Sequence, residues 1–222
     1  MKPPHAIAAV AILLQAAQAT VHAAEAPKET SGDALVYRRI GDRVLKLFVE
    51  KPAELGIDPK RIAAAGGSAG GHLAAFTALV PGMDAPGDDL SVSCKPNALV
   101  LFNPVFNNGP GQWGHDRVGD RFMDFSPAHH IGKEAPPTIV FLGDADNLIP
   151  VSVLQHFEAG MKKVGVRCDA HVYPQAGHGF FNREPHFTLT LIETDKFLAS
   201  LGWLQGPPTL QKCHDKEPTR SD

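Results

Sequence analysis

The chemistry in this chain starts at Ser68. It sits in Gly66-Gly67-Ser68-Ala69-Gly70, a G-x-S-x-G pattern, after the apolar run Ile62 to Ala65 and before an Ala/Leu/Phe-rich stretch to Val80. The run reads as a buried strand and the stretch as a helix, which puts the serine on a sharp strand-to-helix turn. Such a turn needs small flanking residues, because the two backbones pass closely, and it pushes the hydroxyl out above the sheet. The N–H of Ala69 then points at a developing oxyanion, helped by the positive helix N-terminus. A serine hydroxyl is a poor nucleophile until an imidazole takes its proton. His178, in Ala176-Gly177-His178-Gly179-Phe180, could do so and later protonate a leaving alcohol. Asp146, in Gly143-Asp144-Ala145-Asp146-Asn147-Leu148-Ile149-Pro150, could hold the imidazole tautomer and stabilise imidazolium. Asp144 is the rival acid. Asp146 is preferred, because Asp144 immediately follows a strand, where a side chain more often serves the turn.

These residues need elements to position them. Ala98–Phe102, Thr138–Leu142 and Asp169–Tyr173 read as further strands, and Val151–Val164 and Phe187–Leu204 as helices. Strands alternating with helices predict an α/β fold with a mainly parallel sheet, whose site lies at the carboxyl ends of the strands. Ser68, Asp146 and His178 each follow a strand. Ala34–Arg39 and Arg43–Glu50 read as a hairpin, and Ala53 to Gly56 as a helix end with no helix body before it. Pro81–Pro96 is a loop, and Val105–Lys133 is long and irregular. Loops of that length are usually functional or disordered. Phe106 and Trp113 in it could wall a substrate pocket or simply pin the loop to the core. His72, His129, His130 and His171 are read as structural or surface residues.

The 222 residues suffice for one domain, expected at 34–204, with a polar tail at 205–222. A net charge of −3 without a basic cluster argues against a nucleic-acid partner, and no apolar run is long enough to span a membrane. Residues 1–24 read as a secretory signal: Lys2, an apolar core from Ala6 to Ala19, and small residues around Ala23. The mature protein would then be exported, and the leader stand apart from the fold. Three cysteines, Cys94, Cys168 and Cys213, leave at least one unpaired and have no metal-site spacing.

The three motifs resemble the esterase/lipase branch of the α/β-hydrolase superfamily, in particular exported bacterial esterases that are acetyl-xylan-esterase-like or hormone-sensitive-lipase-like. The resemblance implies an α/β-hydrolase fold, with Ser68 as nucleophile, Asp146 as acid, His178 as base and Ala69 in the oxyanion hole. The sequence shows no Zn signature, no P-loop and no dinucleotide fingerprint, so no cofactor or metal is expected. The resemblance implies short acyl esters, among them acetylated sugars, as substrates. Members usually carry a hydroxyl residue where this chain has Asp144. They also carry an H-G-G segment well before the nucleophile, which supplies the second oxyanion donor. Here the only histidines before Ser68 are His5 and His22. The hairpin therefore runs directly into the nucleophile strand, as though an internal segment were deleted. That predicts a bare edge on the nucleophile strand and self-association through it. The missing segment keeps open a non-catalytic hydrolase-like protein, and because the same triad serves amides, a peptidase of the prolyl-oligopeptidase type is a weaker third reading.

Overall fold

The computed structural model describes residues 58–84, 90, 93–208 and 210, with the backbone of three strands further upstream. The strands are β1 Val10–Leu13, β2 Ala34–Ile40, β3 Arg43–Phe48, β4 Ala63–Gly67, β5 Ala98–Phe102, β6 Thr138–Gly143 and β7 Cys168–Tyr173. The longer helices are α1 Ala69–Leu79, α2 Val151–Lys163 and α3 His186–Ser200. β5 and β6 read ALVLF and TIVFLG, with no polar alternation, as strands covered on both faces must. They lie at the middle of an all-parallel sheet of order β1-β4-β5-β6-β7.

Alternate residues of the central strands feed two cores. Leu99, Leu101, Val140 and Leu142 pack with Ala74 and Ala75 of α1 and with Leu154, Phe157 and Met161 of α2. Ala98, Val100, Ile139 and Phe141 pack on the other face with Phe197 and Leu198 of α3. A mainly parallel sheet flanked by helices is the architecture expected from the sequence. The β2–β3 hairpin forms its own two-stranded antiparallel sheet, pairing Ala34 with Phe48 and Ile40 with Arg43. The helix end expected at Ala53–Gly56 lies outside the described residues, as do Cys213 and most of the polar tail expected at 205–222.

Two expectations change. The edge of β4 is not bare in this chain: β1 runs parallel to it, from Val10 beside Ala63 to Leu13 beside Gly66. The Val-Ala-Ile-Leu run that reads as the apolar core of a leader is equally a strand-forming sequence, and an open ladder of N–H and C=O groups accepts it. Four residues set apart as leader are thus in the sheet. The long segment after β5 is also more ordered than expected. It holds single helical turns at His115–Val118, Gly119–Arg121, Phe122–Phe125 and Pro127–His130, kept short by Gly114, Gly119 and Pro127.

Candidate active site

The site is assembled from four turns at the carboxyl ends of β4, β5, β6 and β7. Ser68 occupies the first, at φ 53° and ψ −118°, a conformation that ordinary L-residues avoid. Its N–H donates to the Phe102 carbonyl (2.9 Å), and its own carbonyl accepts from His72 N–H (2.9 Å). The backbone is pinned on both sides, which is how such strain persists. Gly66 is sterically required by the α1 backbone, and Gly67 leaves room for the Phe181 ring. A Cβ on Gly66 would strike the Gly70 carbonyl and come within 2.7 Å of Gly71 N, and one on Gly67 would strike the Phe181 ring. Behind them α1 offers the sheet only Gly70, Gly71, Ala74, Ala75, Ala78 and Leu79, so it packs close. Ala69 opens α1, where an N–H has no acceptor within the helix.

The turns after β6 and β7 are built as one unit. Gly143 is pressed against the Ala176 carbonyl, and Ala145 N–H donates to that same carbonyl (3.1 Å). Asp144 points at the neighbouring turn, where its Oδ1 accepts from Gln175 N–H (2.6 Å). Asp146 turns inward, with a side chain wholly shielded from solvent. Its Oδ1 accepts from Leu148 N–H (2.9 Å) and Ile149 N–H (3.0 Å), and its Oδ2 accepts from His178 Nδ1 (2.7 Å). The other face of the ring meets the nucleophile turn: Ser68 Oγ lies 2.8 Å from His178 Nε2. The structure thus brings Ser68, His178 and Asp146 into one hydrogen-bonded chain, with Ala69 beside Ser68. Asp144 stays outside it as a turn clamp.

The fourth turn holds a residue that the sequence reading passed over. Asn103 follows β5 directly, fully buried at φ 34°, and its side chain reaches both Gly179 N–H and His178. Its only signal in the sequence is an Asn at a strand end before Pro104, which reads as an ordinary turn.

Phe106 is turned into the core, whereas Trp113 is half-buried. Phe106 is buried and stacks on Phe157 with centroids 3.6 Å apart, so it pins the loop to α2. Trp113 packs against the same core and carries the Arg117 guanidinium over its ring, 4.7 Å from the centroid. His72 Nδ1 donates to the Val105 carbonyl (3.0 Å), and burial holds its imidazole below the usual histidine range. His130 Nε2 donates to the Met123 carbonyl, and His171 packs on Phe141. Cys94 and Cys168 are free thiols, and burial first, then the charges of Glu158 and Asp169, pushes the Cys168 thiol up to about 12. Among the described residues no three His, Cys, Asp or Glu side chains converge as a metal site would need, and no helix is long and apolar enough to cross a membrane.

A parallel sheet with serine, carboxylate and imidazole on turns at the carboxyl ends of its strands defines a class, and comparison with known proteins gives the same one. Residues 39–124 match a family described as alpha/beta hydrolase fold, and residues 125–212 match the dienelactone hydrolase family. The chain belongs to the α/β-hydrolase esterase/lipase family. Among its relatives, Esterase LipQ of Mycobacterium tuberculosis is 29% identical over 62% of this chain and 37% of that protein. The probable carboxylic ester hydrolase LipM of the same organism is 30% identical over 67% of this chain and 39% of that one. The chain therefore spans less than two-fifths of the length of these relatives. Esterase 2 of Thermogutta terrifontis, solved with propionate bound, is 41% identical over 70% of this chain and 61% of that chain, at a TM-score of 0.64. The same esterase phosphorylated by paraoxon superposes at a TM-score of 0.63, 42% identical over 69% of this chain and 59% of that chain.

Proposed function

We propose that this chain is a serine carboxylic-ester hydrolase acting on short acyl esters through an acyl-enzyme. One observation carries the reading: the His178 ring bridges Ser68 Oγ (2.8 Å) and Asp146 Oδ2 (2.7 Å). Asp146 can only accept, so it holds the ring proton on Nδ1 and leaves the Nε2 lone pair for the serine proton. Ser68 Oγ attacks the ester carbonyl as its proton passes to Nε2. The tetrahedral oxyanion forms against Ala69 N–H, and collapse expels the alcohol with the proton from Nε2. Water, deprotonated by the same nitrogen, then releases the acid and restores Ser68.

The acyl group is read as short because the Thermogutta esterase binds propionate, and acetylated sugars are a substrate class of the resembled esterases. Residues 1–24 are read as an export leader, so β1 covers the β4 edge in the full chain and leaves it when the leader is removed. Among the described residues Ala69 N–H is the one oxyanion donor assigned; a missing second donor lowers turnover about 10²–10³-fold. Hydrolysis of p-nitrophenyl acetate, butyrate and decanoate tests the class, and acetate release from acetylated xylan tests the sugar ester. The reading predicts acetate or butyrate as best substrate; no hydrolysis by the folded chain contradicts it. A peptidase reading has one observation in its favour, the 28% identity of the Arabidopsis thaliana acylamino-acid-releasing enzyme over 63% of this chain. Cleavage of acetyl-alanine p-nitroanilide faster than the esters would establish it.

A further inference from the structure

We infer that Asn103 is a positioning residue of this site, which clamps the His178 turn and biases the ring toward the tautomer that the serine needs. The inference rests on the reading of Ser68, His178 and Asp146 given above. Asn103 is the first residue after β5, wholly buried, with its N–H donating to the Phe141 carbonyl (2.7 Å). Its φ of 34° lies in the left-handed region, where asparagine is among the few side chains tolerated without strain. Backbone and side chain therefore both call for this residue type.

The orientation of the amide follows from its neighbours. Gly179 N–H can only donate, so the Asn103 oxygen faces it, at 3.0 Å. The NH₂ group then faces His178 Nε2, at 3.4 Å. Gly179 follows His178 directly, so the clamp fixes the backbone that carries the ring. At 3.4 Å the second contact is long, and its effect is an electrostatic bias, not a strong hydrogen bond. Nε2 thus faces two groups, the Ser68 hydroxyl from the β4–α1 turn and the Asn103 amide from β5. Nδ1 faces the Asp146 carboxylate from the β6 turn, the one charged partner of the ring. Among the described residues no other hydrogen bond or ion pair reaches His178. An acceptor on one side and a donor on the other favour the same state: a proton on Nδ1 and a lone pair on Nε2. The amide N–H also opposes a resident proton on Nε2, which keeps the base free until Ser68 delivers one.

Asn103→Asp isolates this effect. It keeps an acceptor for Gly179 and a side chain that tolerates the left-handed backbone, and it puts an acceptor opposite Nε2. ¹⁵N NMR of the His178 ring, assigned by its loss in His178→Gln, reads the outcome without turnover. The inference predicts a lone-pair Nε2 signal in the wild type at neutral pH and a signal moved toward the protonated type in Asn103→Asp. It also predicts an acidic limb of kcat/KM about one unit or more higher in pH, the effect of an opposite charge within reach of a titrating ring. A side chain at 103 that serves only the Gly179 turn and does not face Nε2 would move neither. Unchanged Nε2 signal and limb in a folded Asn103→Asp overturn the inference. If that variant does not fold, Asn103→Gly keeps the positive φ and removes both contacts. It should lower kcat by tenfold or more with little change in KM and speed exchange of the Gly179 amide proton; unchanged kcat and exchange overturn the clamp. Activity surviving in Ser68→Ala would sink the esterase reading instead, and the NMR result would stand apart from it.

Discussion

Replacing Asp146 by asparagine should cost far more than the loss of one charge. Asp146 Oδ1 accepts from two backbone N–H groups, Leu148 at 2.9 Å and Ile149 at 3.0 Å. Neither can act as acceptor, so an asparagine there must turn its oxygen to them. Its NH₂ group is then aimed at His178 Nδ1, where the carboxylate Oδ2 had accepted at 2.7 Å. The ring can meet a donor only with a lone pair on Nδ1, which moves its proton to Nε2. Nε2–H cannot take the proton of Ser68. Enforcing the wrong tautomer in a serine triad lowers kcat about 10⁴-fold, or about 5.4 kcal/mol of barrier. Asp144→Asn is the control. That side chain binds Gln175 N–H, which an amide oxygen accepts equally well, so turnover should stay within a few-fold of wild type. Steady-state hydrolysis of p-nitrophenyl butyrate, with circular dichroism to verify folding, makes the comparison. If Asp146→Asn keeps a tenth of wild-type kcat, or if Asp144→Asn is the variant that fails, the tautomer argument is wrong.

Three further outcomes follow from the packing. A chain beginning at Glu25 lacks β1 and opens the β4 edge from Ala63 to Gly66, so it should elute as larger species in size-exclusion chromatography than the full chain; a monodisperse monomer would show that β1 does not guard that edge. Gly66→Ala forces a Cβ against the backbone of α1, not against a movable side chain, and should cost about 3 kcal/mol, or about 6–12 °C in Tm; a loss under 2 °C would refute the close approach. Burial depresses the His72 pKa in the folded state, so its contribution is fully present above the unfolded value of 6.5 and declines as pH falls below it. His72→Gln, whose amide can still donate to Val105, should make the urea midpoint less sensitive between pH 7 and pH 5, and an identical pH dependence would exclude His72 as the acid-sensitive group.

The central strands were legible because they are buried on both faces. Ala98–Phe102 and Thr138–Gly143 are continuous apolar runs, and no other element type fits five or six such residues between turn signals. The serine, acid and histidine segments were legible because close backbone approach demands glycine, and a glycine at Gly66, Gly67 or Gly143 marks a place where a Cβ would collide. Choosing Asp146 over Asp144 rested on distance from the strand end, and the turns at 144 and 175 give that choice its physical content. What stayed hidden is non-local. Nothing in Val10–Leu13 names Ala63–Gly66 as its partner, because a parallel ladder is written in backbone groups that every residue carries. Phe106 and Trp113 looked available because composition does not say which way a ring turns; the core took Phe106, and Arg117 covers Trp113. Asn103 hid for a related reason. Its backbone and side-chain requirements coincide at one residue, and that coincidence shows only once β5 and the His178 turn are set side by side.

The central claim is that Ser68 is the nucleophile that His178 activates. Incubating the folded chain with paraoxon, followed by intact-mass and peptide analysis, tests it most directly, because diethylphosphorylation traps an activated serine and leaves the other hydroxyls alone. The account predicts one adduct per chain, on the peptide that contains Ser68, with loss of p-nitrophenyl butyrate hydrolysis in proportion, and no adduct in Ser68→Ala or His178→Ala. An adduct on another residue, or full hydrolysis by Ser68→Ala, would contradict it.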